Sequence, residues 1–335
     1  MKLFLKLLLV IILFASCAND KPLTTTFSFY HWKSNAVFPK SYEKALSTSQ
    51  TKTIYLHYFD LKVLNRNDWN HDGIYPVYTI KKIDKAYKNF EIIPVIYINN
   101  SVFKDRIDID GLANRTSKLI NQISIKHFNK KTPKIQIDCD WTASTKIAYF
   151  EFLKSISRRN DVSVTIRLHQ IKFKEKTGVP PVDSGTLMMY NIGDLKNANE
   201  NSILENKIVK QYINTETTYP LKLNVALPLF SQTIVRNNDD EIRIIKNSKR
   251  KVLETDKHFK KIDNTNFEVE KDTLFHGFYL TKGYRLKVEE TNSKEIVSAY
   301  KTIKNSKLIT EDVIFYHLDE SSLTNVDFKK LVHKL

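Results

Sequence analysis

The feature that most constrains the fold is a recurring alternation of short apolar runs with amphipathic segments. Eight runs rich in β-branched and aromatic residues read as strands: Phe27–Trp32, Thr53–Asp60, Glu91–Asn99, Lys134–Asp140, Val162–Leu168, Thr186–Asn191, Leu221–Leu229 and Val313–Leu318. Several are apolar without interruption, as expected for parallel strands covered on both faces. Between them, residues 107–126 place Ile107, Leu112, Leu119, Ile120 and Ile123 near helical spacing, and residues 144–157 do the same with Ile147, Phe150, Leu153 and Ile156. Ser41–Ser49, Asn201–Asn214 and Lys294–Ile303 are further helix candidates. Eight strands with crossover helices predict an α/β fold, a (β/α)8 TIM barrel over residues 27–335. A doubly wound open sheet is the alternative, but no Gly-rich phosphate loop follows the first strand.

The spacing breaks between the seventh and eighth runs. Residues 231–308 form a long, highly charged stretch that reads as an insertion. Within it, Asp272–Glu290 predicts a hairpin turning near Lys282 and Gly283, with Phe275, Phe278, Tyr279 and Tyr284 beside it. An insertion at this point rises from the face of a barrel that carries its chemistry and is placed to cover a groove.

The chain opens with Lys2 and Lys6, then an apolar stretch, Leu7 to Phe14, too short to span a bilayer as a stable helix. Phe14-Ala-Ser-Cys17 resembles the lipobox of bacterial lipoproteins. That resemblance implies a signal peptide over 1–16, a lipid on Cys17 and a polar tether over 17–26. Ala18 at the next position resembles outer-membrane lipoproteins, so a bacterial envelope protein, periplasmic or surface-facing, is expected. Without Cys17 only Cys139 remains, which leaves neither a disulfide nor a Cys-based metal site within the chain. The formal charge of +16 admits anionic partners. The lysines are spread along the chain and no nucleic-acid recognition motif is present, so nucleic acid is not expected and acidic glycans remain open.

Chemistry concentrates in Lys134-Ile-Gln-Ile-Asp-Cys-Asp-Trp-Thr142. Side chains alternate along a strand, so Asp138, Asp140 and Thr142 share one face, and Ile137, Cys139 and Trp141 the other. Two carboxylates ending an apolar strand repel each other and cost desolvation, which is poor design for stability alone. Other strand ends carry candidate groups: His31 and Trp32, Asp60, Arg167 with His169, Tyr190, and His317, Asp319 and Glu320. At the C-terminal face of a barrel, acids and an aromatic ring suit sugar chemistry. Asp68-Trp-Asn-His-Asp-Gly73 has the opening of a calcium loop, but Thr79 stands where a bidentate Glu is needed, so it reads as a tight polar turn. No motif for a metal or another cofactor is found.

Read together, these segments resemble the chitinase-like family 18 glycoside hydrolases. Ile137-Asp-Cys-Asp-Trp-Thr142 resembles the end of their fourth-strand motif, Asp-Gly-x-Asp-x-Asp-x-Glu. Met189-Tyr-Asn191 resembles their Met-x-Tyr-Asp, and Val225-Ala-Leu-Pro-Leu-Phe230 their seventh-strand Gly-x-Pro-x-Tyr-Gly. A closer likeness, over residues 27–230, is to a bacterial lipoprotein family with a related barrel, at Tyr58-Phe-Asp60, Pro76-Val77 and Gln136-x-Asp138-x-Asp140. The resemblance implies a glycan or polysaccharide partner. As a glycoside hydrolase, the chain would use Asp140 as acid, with Asp138 raising its pKa by like-charge repulsion. Asp60 and Tyr190 would position the sugar, and Trp32 would stack on it. The motif's Glu, however, falls on Thr142, whose hydroxyl is far too weak an acid for this work. Two functions therefore stand: a hydrolase whose acid has moved, or a non-catalytic glycan-binding or envelope-assembly lipoprotein.

Overall fold

A computed structural model describes residues 25–64 and 73–335. Eight strands form a closed parallel barrel: β1 Phe27–His31, β2 Thr53–Val63, β3 Glu91–Ile98, β4 Lys134–Asp138, β5 Asp161–Arg167, β6 Ser184–Met188, β7 Lys222–Pro228 and β8 Thr310–Tyr316. Consecutive strands pair in order around the ring, and β1 closes it by pairing with both β8 and β2. Every strand expected from the sequence is present, and the TIM barrel is the architecture observed. Inside it, Tyr30 donates to Gln136 Oε1 at 2.5 Å, and Gln136 Nε2 donates to Thr186 at 2.9 Å. Gln136 thus spends its amide satisfying groups that no water reaches.

Two strand ends are shorter than the apolar pattern implies, while β2 runs on past Asp60 to Val63, so Asp60 lies inside its strand. β4 stops at Asp138 rather than Asp140, and β6 stops at Met188 rather than Asn191. At β6 the reason is local: Asn191 takes a left-handed φ of 53°, which no strand continues. At β4 the pairing ends at Ile137 toward β5 and at Asp138 toward β3, and beyond it Asp140 meets a cation on β5.

The outer layer is built from α1 Lys40–Thr48, α2 Ile109–Phe128, α3 Lys146–Ser157, α4 Leu168–Lys172, α5 Asn206–Tyr212 and α6 Ser293–Lys304. α2 begins where Asp108 accepts from the Gly111 N–H at 2.9 Å and ends at Asn129 in the left-handed region. Trp141 and Tyr149 stack at 5.3 Å beneath α3, and the indole donates to the Thr177 carbonyl at 3.0 Å. The crossover between β5 and β6 is reduced to short turns of helix, and that between β2 and β3 carries, among the described residues, the strand Ile74–Val77, antiparallel to the end of β2, and a 3-10 turn over Lys85–Asn89. No helix among the described residues is long and apolar enough to cross a membrane.

The stretch after β7 folds as a five-stranded antiparallel sheet with its own apolar core, which includes Val235, Ile245, Phe267 and Leu286. Its strands are Ser231–Arg236, Ile242–Lys246, Phe259–Lys261, Asn266–Val269 and Arg285–Glu290. The expected single hairpin is corrected here. The tight turn falls at His276-Gly277, joining Thr273–Phe275 to Phe278–Leu280. Gly283, with φ of 90°, instead turns the chain into Arg285–Glu290, which lies at the sheet's centre. A buried ion pair, Lys287 Nζ to Glu289 Oε1 at 2.7 Å, ties this sheet to the loop after β6. Lys287 also donates to the Asn197 and Glu200 carbonyls, and Glu289 accepts from the Ser202 N–H.

Candidate functional site

The C-terminal ends of the eight strands converge on a mouth where acids, a cation and aromatic rings meet. Asp138 ends β4 at the floor of this mouth and accepts from Thr165 on β5 at 2.6 Å. Burial raises its pKa to about 6; the Thr165 hydrogen bond opposes the rise and the nearby Asp140 adds to it. Asp140 lies beyond the strand, half exposed, in a two-pronged bond with Arg167: Nε to Oδ1 at 2.7 Å and Nη2 to Oδ2 at 3.1 Å. Asp60 accepts from His57 Nε2 at 2.8 Å and lies 3.4 Å from Lys62 Nζ. Tyr97, at the end of β3, has its pKa pushed to about 12 by burial and then by Asp140 and Asp138. These four groups therefore share one electrostatic neighbourhood.

Aromatic rings pave the other half of the mouth. Trp32 lies 4.6 Å from the His57 ring and 6.0 Å from Tyr316. Tyr190 stacks on Tyr316 at 4.5 Å, and both contact Phe230 edge-on. The Tyr190 hydroxyl is buried on Met188 Sδ at 3.2 Å, and the ring itself is buried beneath the mouth. From this floor a cleft of about 510 Å³ runs beneath the inserted sheet. Its walls include Asn191, Gly193 and Ser202 from the β6 loop, and Gln232, Ile244 and Lys246 from the sheet.

The residues singled out in the sequence divide clearly. Asp138, Asp140, Asp60, Arg167, Tyr190 and Trp32 gather at the mouth. His31 does not: it is fully buried between Tyr42 and Tyr87, with ring centroids at 6.2 and 5.5 Å. Burial lowers its pKa to about 3, so it is a neutral packing residue outside the barrel. Glu320 also lies away from the mouth, exposed, where it accepts from Ser41 on α1 at 2.9 Å. Thr142 is exposed and bonds to Ser144 and Thr145 in the turn that starts α3. His169 is exposed on α4, with its pKa lowered by burial and by Arg167. Cys17 and residues 68–72 lie outside the described residues. Among the described residues no cluster of His, Cys, Asp and Glu is arranged to hold a metal ion.

His57, Tyr97, Thr165 and Tyr316 complete the site and were not evident from the sequence. For His57 the reason is a bulge. Simple alternation sets positions 57 and 60 on opposite faces, but the β2–β3 register shifts between His57 and Phe59. The extra residue turns His57 and Asp60 toward each other and sends Tyr58 outward to Ser124 on α2.

The sequence matches no protein-family model and no curated protein at a significant level. Solved structures are similar in fold. A chitinase from Chromobacterium violaceum ATCC 12472 aligns over 93% of this chain and 98% of its own, with a TM-score of 0.51 and 8% identity. A chitinase from Bacteroides thetaiotaomicron aligns over 92% of this chain and 95% of its own, also with a TM-score of 0.51, at 12% identity. The barrel is thus a chitinase-like, glycoside-hydrolase-type fold.

Proposed function

We infer that this protein binds a glycan across the barrel mouth and that its site is built for recognition rather than for cleavage. The observation that carries this reading is the Arg167–Asp140 clamp beside Thr142. An aspartate that spends both carboxylate oxygens on one guanidinium is occupied as an ion-pair partner and is not free to face a glycosidic oxygen. The position that carries the acid in chitinase-like motifs holds a hydroxyl. What remains at the mouth is a binding surface: half-buried Trp32 beside Tyr190, Tyr316 and Phe230, with polar groups at its edge. Flat rings offer a sugar's apolar face a rigid platform at little conformational cost.

One observation favours a second reading, hydrolysis. Asp138, with its pKa raised to about 6 by burial, is poised to hold a proton close to neutral pH. In this reading the acid is Asp138 rather than Asp140. Binding and reducing-end release should be scored together on a panel of oligosaccharides, for wild type, Trp32→Ala and Asp138→Asn. Recognition predicts binding by wild type, at least tenfold weaker binding by Trp32→Ala (about 1.4 kcal/mol), and no release of reducing ends. Release that vanishes in Asp138→Asn would establish hydrolysis instead. Absence of binding to every glycan overturns both readings.

The same proposal places the protein at the bacterial envelope, anchored through a lipid on Cys17 with the barrel tethered by residues 17–26, and without a nucleic-acid partner. Labelling cells with an alkyne fatty acid tests the anchor. The label and the membrane fraction should both be lost in Cys17→Ser; an unlabelled wild-type protein would refute it.

A further inference from the structure

The cleft beneath the inserted sheet has a chemical character that the aromatic floor does not explain. Its lining carries cationic side chains, Lys33 and Lys246, and no carboxylate. The carboxylates just behind the lining are already committed: Asp319 pairs with Lys33, and Glu289 with Lys287. Lys246 is exposed on the strand Ile242–Lys246 and makes no ion pair among the described residues. Its direct cross-strand partner is Gln232, so both side chains stand on one face of the sheet. Ile244, two residues back, lines the same cleft, and the opposite face, through Val235 and Ile245, fills the insertion's own core. The alternation of the strand therefore aims Lys246 and Gln232 at the barrel mouth.

A second, independent observation comes from other residues of the lining. His317 and Ser231 both line the cleft, and His317 Nδ1 and Ser231 Oγ are buried polar atoms without a protein hydrogen-bond partner. Buried polar atoms are almost always satisfied, so two such atoms in the lining of one cavity ask for a polar ligand. Trp32 and Tyr316 belong both to this cleft and to the aromatic floor. A sugar ring stacked there would extend its substituents toward the lysines.

The geometry points to a subsite for an anionic substituent of the glycan, a carboxylate or a sulfate ester, held at Lys246, with His317 and the Asp319-paired Lys33 at its sides. This inference rests on the glycan-binding reading and names the class of glycan. A lysine ammonium is a point charge without the planar fork of arginine, so it accepts either anion.

Three hexasaccharides separate the cases by calorimetry: N-acetylchitohexaose (neutral), a hyaluronan hexasaccharide (carboxylates only) and a keratan sulfate hexasaccharide (sulfates only). Wild type should bind at least one anionic oligomer more tightly than the neutral one, and the preference should shrink as salt is raised. Lys246 is exposed and makes no ion pair among the described residues, so its replacement should leave the fold intact. Lys246→Gln should weaken the anionic oligomer roughly fivefold, the upper range of one exposed pair, and leave the neutral oligomer unchanged. Lys246→Glu should weaken it further. Equal affinity for all three oligomers in wild type, or no change on either substitution, overturns the anionic subsite while leaving glycan binding standing. Failure to bind any of the three overturns the inference together with its premise.

Discussion

Asp138 and Asp140 lie two residues apart and occupy different electrostatic worlds. Asp140 keeps solvent and a guanidinium; Asp138 is more deeply set, only partly exposed, and bonds to one hydroxyl. The consequence is readable as stability. Because the folded pKa of Asp138 is raised, the native state binds its proton more tightly than the unfolded state does. Stability therefore falls as pH rises from about 4 to about 6, and the cost is constant above that window. A rise of this size corresponds to about 3 kcal/mol at most. Asp138→Asn keeps an acceptor for Thr165 and carries no charge, so it should stabilise the fold by about 1–3 kcal/mol at pH 8 and leave it unchanged near pH 4. Urea denaturation at both pH values checks this; equal midpoints for the two proteins at pH 8 would contradict it. The buried His31 and His317 act in the acid direction. Burial lowers their pKa values to about 3 and about 4, so each withdraws stability as pH falls below the ordinary histidine range.

At the scale of elements, the loop after β6 positions one wall of the cleft, and Gly193 sets how closely that loop doubles back. The Ile192 and Gly193 N–H groups both donate to the Ser202 carbonyl, at 3.0 and 3.1 Å. A Cβ on Gly193 would stand 2.9 Å from Ser202 Cα and 3.1 Å from Ile208 Cδ1. The first of these contacts is backbone and cannot swing aside. Gly193→Ala should therefore cost about 1–3 kcal/mol, as overpacking does, and should weaken ligand binding by reshaping the wall. Thermal unfolding and affinity for whichever oligosaccharide binds wild type provide the two readouts; an unshifted Tm with unchanged affinity would show that the loop relaxes freely.

Across the whole molecule, the insertion meets the barrel through the buried Lys287–Glu289 pair. Glu289 accepts from Ser202 and Gln232, and Lys287 reaches two carbonyls of the β6 loop. Removing one partner strands the other charge in a place without water, which costs about 3–5 kcal/mol. Glu289→Ala should show that loss first in the inserted sheet, as faster amide exchange over residues 231–290, with the barrel strands protected longer. Uniform loss of protection across the barrel would mean that insertion and barrel unfold as one unit.

Periodicity in the sequence determined the eight strands, the principal helices and the place of the insertion, because burial on both faces of a parallel strand selects a continuous apolar run and burial on one helix face selects a repeat near 3.6 residues. The paired aspartates and the missing glutamate at Thr142 were legible for the same reason: strand-end position follows from the run itself. What the tertiary structure decided were relations between distant segments. Burial at the barrel mouth raises the pKa of Asp138, Arg167 clamps Asp140, a bulge in β2 brings His57 to Asp60, and the insertion sets Lys246 over Trp32's cleft. The alternation that places a side chain on a face carries no information about which charge waits across the gap. Electrostatics and register depend on contacts between residues tens to hundreds of positions apart, and those contacts exist only once the barrel has closed.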